Sequence, residues 1–306
     1  MAYTVVAIHQ GSDSWARQAF AAVRARLKSR LEHAARGAVP HGHLVYESAD
    51  LDPAPGDLLG LRCGRPRSVN DTDTSSHPGT GNAMTRLAIQ PLDLAGRFIF
   101  LSASFPSGDR STQDMEARPG DVADAVVAIV RGVLTGRGRL VLGGHPTISP
   151  LVLKVAAEYS ALDPSRVTIY QSRLFAPLVT DETLRLEREG YGSIRWTEAV
   201  SGDSPEHGLE RLASLEVMRI AMLHEVKPVA AFFVGGMEEG TTLEYTLVRD
   251  LLPRCTIFCI AGPGGAAADF SSVGDLPESL AESLRTSRLY SAVVDASLRL
   301  VAERPG

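Results

Sequence analysis

Five apolar runs recur between Arg97 and Gly265: RFIFLSASF, RLVLGG, RVTIYQS, VAAFFVGG and CTIFCIAGPGG. Apolar residues at helical spacing fill stretches between and after them, in DVADAVVAIVRGVL, the segment from Pro150, LERLASLEVMRIAMLHE and TTLEYTLVRDLL. A last helix is expected from about Pro277 to Glu303. Strands that are apolar along their whole length belong in a sheet buried on both faces, and helical crossovers make such a sheet parallel. The expected class is therefore α/β, a mostly parallel sheet with helices on both faces. In open sheets of this kind ligands bind beyond the carboxyl ends of the strands. The runs end in SAS, GG, QS, GG and GPGG, and these five small termini are expected to surround a single cleft.

The first part of the chain is of another kind. Tyr3 to His9 is rich in strand formers, and Ser14 to Ala35 carries Ala16, Phe20, Val23, Leu27 and Leu31 at helical spacing. Arg17, Arg24, Lys28 and Arg30 fall on the opposite, solvated face. LRCGRPRSVNDTDTSSHPGTGNAM then offers little to bury and reads as a linker. The expected organisation is a short strand-helix segment at 1–58, a flexible linker at 59–84 and the sheet-forming domain at 85–306.

Composition excludes several classes. The 306 residues can bury a sizeable core, and no apolar run approaches the ~20 residues of a membrane span. A formal charge of −5 argues against a general nucleic-acid binder, whose footprint is basic. MAYTVVAIHQGSDSW has no secretory pattern, and Cys63, Cys255 and Cys259 form no even set. A cytoplasmic location is expected, with Cys255 and Cys259 acting as small buried hydrophobes. The histidines show no metal-ligand spacing, so neither a metal nor a cofactor is expected.

The loop GGHPTISP carries the strongest signal for a ligand. Ser149 is expected as helix N-cap with Pro150 at the first helical position, aiming the positive end of the helix at the cleft. Gly143 and Gly144 let an anionic group approach the backbone, and Thr147 and Ser149 add hydroxyls. His145 is either an acid–base or stacking group, or a turn residue. The other strand ends contribute Ser102 and Ser104, Gln171 and Ser172, Gly235 and Gly236 with Met237, and Gly264 and Gly265. Neither G-x-G-x-x-G nor G-x-x-x-x-G-K-[ST] is present, which argues against an ordinary dehydrogenase or ATPase. Arg219, on the helix before the fourth run, is either a surface residue or one paired with an anion or with Glu238, Glu239 or Glu244. Adjacent carboxylates repel phosphate, so Glu238 and Glu239 suit ribose hydroxyls, a base edge or Arg219.

Taken together, FLSASFP, GGHPTISPLV, IYQSRLF, Met218-Arg219, FFVGGMEEG and GPGGAA resemble the SLOG superfamily, in particular a branch found in prokaryotic defence systems. The resemblance covers about Leu94 to Phe270. It implies a Rossmann-like domain that senses or processes a nucleotide-derived signal of the ADP-ribose or cyclic ADP-ribose type. The related LOG enzymes carry an Arg on a helix and then P-G-G-x-G-T-x-x-E. Here Gly235 follows Arg219 by sixteen residues, the family's spacing, but Val234 replaces the proline. Gly240-Thr241 and Glu244 align only if two residues are inserted; otherwise Glu238-Glu239 fall on the Gly-Thr positions.

Three functions follow as expectations. The first is a ligand sensor without catalysis, binding a nucleotide-derived small molecule. The second is a LOG-like N-glycosidic hydrolase with Arg219 and Glu244 or Glu238 as its catalytic residues. The third is an interaction module that assembles as a homo-oligomer or with an effector protein through the last helix, where Leu284, Leu289, Val293, Val294, Leu298 and Val301 form a partly apolar face.

Overall fold

The computed structural model describes residues 91–105, 117–159, 163–203 and 208–304. The strand-helix segment expected at 1–58 and the linker at 59–84 lie outside the described residues. The five apolar runs form β1 (Phe98–Ser104), β2 (Arg139–Gly143), β3 (Val167–Ser172), β5 (Ala230–Gly235) and β6 (Thr256–Ile260). A sixth strand, β4 (Ser193–Thr197), adds one edge. The sheet is parallel throughout, in the order β4-β3-β2-β1-β5-β6. This is a Rossmann-like α/β arrangement. The direction of winding reverses at β1, the topological position where such sheets open a crevice.

The helices are α1 (Pro119–Thr135), α2 (Ser149–Ala156), α3 (Asp181–Arg188), α4 (Gly208–Val226), α5 (Glu238–Leu251), α6 (Glu278–Thr286) and α7 (Tyr290–Glu303). Alternate residues along each strand feed two cores. Ile99, Leu101, Leu142 and Ile169 pack with α1, α2, α3, α6 and α7, whereas Phe100, Val141, Tyr170 and Phe233 pack with α4 and α5. In α1, Val122, Val126, Ile129 and Val133 recur at the three- and four-residue spacing that one buried helix stripe requires. Every residue of β5 is buried, which explains its unbroken apolar sequence. Cys255 and Cys259 are buried free thiols, and burial pushes both up to about 12.

Two segments differ from the expectation. β4 and α3 have weak sequence signals because β4 is a five-residue edge strand and α3 buries only Thr183 and Leu186. The last helix is two. The carbonyl of Leu284 accepts from the Ala261 N–H at the end of β6, and Ser287 Oγ accepts from the Leu289 N–H, so local bonds replace the helical ladder between α6 and α7. The apolar face of α7 is spent inside the domain: Val293, Val294, Leu298 and Val301 are buried with α1, and Leu284 of α6 joins them. Leu289, at the break, is exposed. Among the described residues, no helix is long and apolar enough to cross a membrane.

Candidate functional site

A cavity of about 680 Å³ lies along the carboxyl ends of β1, β2 and β3, within the ~300–1,000 Å³ usual for small-molecule sites. Its centre is the end of β2. A Cβ on Gly143 would stand 3.5 Å from Met218 Cε and 3.9 Å from Glu244 Oε1. One on Gly144 would stand 2.8 Å from the amide carbon of Gln171. Successive residues point to opposite faces of a sheet. The two glycines therefore form a low saddle, and the cavity passes over it from the α4–α5 face to the α2–α3 face.

On the first side three polar groups interlock. Arg219 reaches in from α4 and is only 8% exposed. Its Nε donates to Glu244 Oε1 at 2.8 Å, and Ser102 Oγ donates to Glu244 Oε2 at 2.5 Å. Arg219 Nη1 is buried and has no partner among the described residues. Gly240 keeps the space beside Nη2 open, since a Cβ there would lie 3.5 Å from it. Thr241 is buried in the wall and packs where a side chain on Gly236 would otherwise sit.

The second side is more apolar. Ile169, Ile194, Phe175, Leu178 and Val179 line it, with Gln171, Thr180 and Thr183 as its polar members. Phe175 and Leu178 belong to a 3-10 turn, Arg173–Leu178, that follows β3 directly. Ser172 starts that turn by accepting from the Leu174 N–H, so its hydroxyl is consumed and it does not line the cavity.

The His145–Ser149 loop closes on itself. His145 N–H donates to Ser149 Oγ at 2.9 Å, and the N–H groups of Ile148 and Ser149 both donate to the His145 carbonyl. Ile148 rather than Ser149 is the N-cap of α2. The open, serine-capped helix tip expected from the sequence is thus not what forms: this loop uses its own donors. Thr147 N–H donates to His145 Nδ1 at 3.3 Å, and Thr147 Oγ1 lies 2.8 Å from the same atom. Thr147 is therefore a support for the imidazole and does not itself line the cavity. With Nδ1 accepting, the neutral ring carries its proton on Nε2. Burial lowers the His145 pKa from its ordinary value, against the opposing pull of the Glu244 carboxylate.

Of the residues expected at the strand ends, Ser102, Ser104, Gly143, Gly144, His145, Ser149, Gln171, Arg219, Met237 and Glu244 come together around this space. Gly235, Gly236, Gly264 and Gly265 do not line it. Gly236 N–H donates to the Ser104 carbonyl at 2.7 Å, and its own carbonyl accepts from Ala266. A Cβ on Gly265 would lie 2.8 Å from the carbonyl carbon of Gly235, so the GPGG turn packs directly on the end of β5. These glycines have positive φ, 61° and 88° at Gly235 and Gly236 and 78° and 72° at Gly264 and Gly265, and serve backbone conformation and close packing. Glu238 and Glu239 open α5, but their side chains lie outside the described ones. The wall from Phe175, Leu178, Val179, Thr180, Thr183 and Ile194 was not legible as a site; its only sequence mark is the apolar RLFAPL directly after a strand end. Leu215, Met218, Gly240 and Thr241 also complete the cavity. Among the described residues no group of three or more His, Cys, Asp or Glu is arranged to hold a metal ion.

The model of the SLOG cluster3 family matches residues 115–294, more than half of the chain. The chain belongs to this SLOG family. The match begins after β1 and ends within α7, further towards the C-terminus than the quoted motifs reach. Comparison with curated proteins finds no match. In this SLOG domain Gly240, Thr241 and Glu244 line the cavity together with Arg219. Membership fits a nucleotide-related ligand-binding or LOG-like role.

Proposed function

We propose that this SLOG domain is a sensor that binds a nucleotide-derived signal of the ADP-ribose or cyclic ADP-ribose type without consuming it, in a prokaryotic defence or stress system. One observation carries the reading: Arg219 is buried in the cavity wall and oriented by Glu244 through Nε, and its Nη1 has no partner among the described residues. Arg219 lines the cavity, and a phosphate or pyrophosphate oxygen there would accept from guanidinium N–H groups that Glu244 does not engage. The second, more apolar half of the cavity suits the other end of a nucleotide. Both Glu244 oxygens are already engaged, by Arg219 and Ser102, so the carboxylate acts as an orienting counter-charge. The defence setting rests on the motif resemblance alone. A partner protein or self-association through which binding is reported belongs to the same proposal.

Calorimetry with ADP-ribose, cyclic ADP-ribose, NAD and nucleoside monophosphates tests this. At least one should bind and be recovered unchanged, and Arg219→Ala should weaken it by about 100-fold, a loss of ~3 kcal/mol for a charge-assisted pair. Absence of binding across the whole series would sink the proposal.

A second reading is favoured by the same Arg219–Glu244 pair. An N-glycosidic hydrolase would use Arg219 to orient a phosphoribosyl group and Glu244 to stabilise the oxocarbenium-like centre or activate water. Release of free base during the calorimetry, abolished in Glu244→Gln, would select that reading over the sensor.

A further inference from the structure

Gln171 is a polar residue of the cavity for which neither the fold nor the proposed function provides a partner. It is 8% exposed, its amide lines the cavity, and it makes no hydrogen bond among the described residues. Space is kept for it. A Cβ on Gly144 would stand 2.8 Å from the amide carbon and Oε1 and 3.1 Å from Nε2. Gly144 is not among the glycines with positive φ, so its missing side chain serves this contact and not a special backbone conformation. An amide held in one position at the cavity wall, and bonded to no described group, is set to pair with a ligand.

Its surroundings indicate the ligand group. Gln171 lies across the Gly143–Gly144 saddle from Arg219, beside Ile169, Ile194 and Phe175. These apolar walls suit the faces of a flat heteroaromatic ring, while a primary amide offers one donor and one acceptor side by side. We infer that Gln171 reads the base of the nucleotide, pairing in a bidentate manner with an edge that carries a donor next to an acceptor, as adenine does. The ligand then spans the saddle, its anionic end at Arg219 and a 6-aminopurine at Gln171. This inference rests on the nucleotide reading above and assigns the residue that selects its adenine base.

The test uses the full chain and whichever of ADP-ribose and AMP binds more tightly, titrated beside the same compound with hydrogen in place of the 6-amino group. The wild type should prefer the amino compound by about 10- to 100-fold. Gln171→Leu should bind both alike, at the weaker level, while ribose 5-phosphate, which has no base, should show the same affinity for both proteins. Gln171→Glu keeps the shape of the side chain and the acceptor for the 6-amino group but removes the donor to the ring nitrogen, so it should bind both compounds more weakly and still prefer the amino compound, which guards against misfolding of the leucine variant. If the wild type binds both compounds equally, or the leucine variant keeps the preference, or the glutamate variant loses it, Gln171 does not read the base and the sensor reading stands. If the wild type binds no adenine nucleotide, the inference falls; if it binds no compound of the wider series, the sensor reading falls with it.

Discussion

At the scale of single residues, the cavity is built from groups that fold stability alone does not favour. Arg219 and Glu244 are 10% and 15% exposed at their side chains, and burying such a pair costs desolvation that the pair only partly returns. Arg219 was legible in the sequence as a charge on a helix leading into a buried strand. Its partner was left open among three glutamates, because short-range spacing cannot say which turn of the next helix faces back. His145 is the residue whose chemistry is most sensitive to pH. Burial depresses its pKa below the ordinary 6.5, so the folded state holds fewer protons than the unfolded chain as pH falls through that value. Its contribution is fully present above 6.5 and is lost as the pH drops from there towards the lower folded value. Urea unfolding at about pH 7.5 and 5.5 should therefore show a smaller acid-side loss of stability for His145→Gln than for the wild type. Equal losses would mean that His145 titrates alike in both states.

At the scale of elements, glycines that look alike in sequence do different work. Gly143 and Gly144 clear the cavity, whereas Gly235 and Gly265 let two strand ends meet. This division could not be read from the runs themselves, since GG after β2 and GG after β5 are the same letters. It depends on which neighbouring backbone each faces. Gly265→Ala places a methyl 2.8 Å from Gly235 at a φ of 72° and should destabilise the protein by ~2 kcal/mol or more. Gly143→Ala meets Met218 at an ordinary 3.5 Å and should change stability by no more than ~1 kcal/mol. Chemical denaturation of the two variants checks the contrast, and similar losses would contradict it. The strands and long helices were legible because their period and burial coincide. β4, α3 and the turn after β3 were not, because short edge elements bury too little to impose a pattern, yet they and the residues between them supply six of the cavity's lining residues.

At the scale of the whole molecule, the last two helices close one face of the sheet. Arg97, just before β1, donates to the carbonyls of Val301, Ala302 and Arg304 at the end of α7 and so ties the end of the described domain to its start. The apolar face of that helix read either as packing on its own domain, the favoured reading, or as an association surface, and in the structure it belongs to the core: Leu298 is fully buried and packs where Gly132 of α1 leaves room. Leu298→Ala should lower stability by ~2–5 kcal/mol in thermal or chemical unfolding. The particle mass by light scattering should stay that of the wild type. A change in mass with little change in stability would return this helix to the role of an interface.

The Gly143–Gly144 saddle has a mechanical consequence. The layer of α4 and α5 and the layer of α2 and α3 pack on opposite faces of the sheet. A molecule lying over the edge, fastened to Arg219 on one side and Gln171 on the other, acts as a clip across the rim. Occupancy would then be felt as stiffness in both layers at once, which gives the domain a way to announce that it is full.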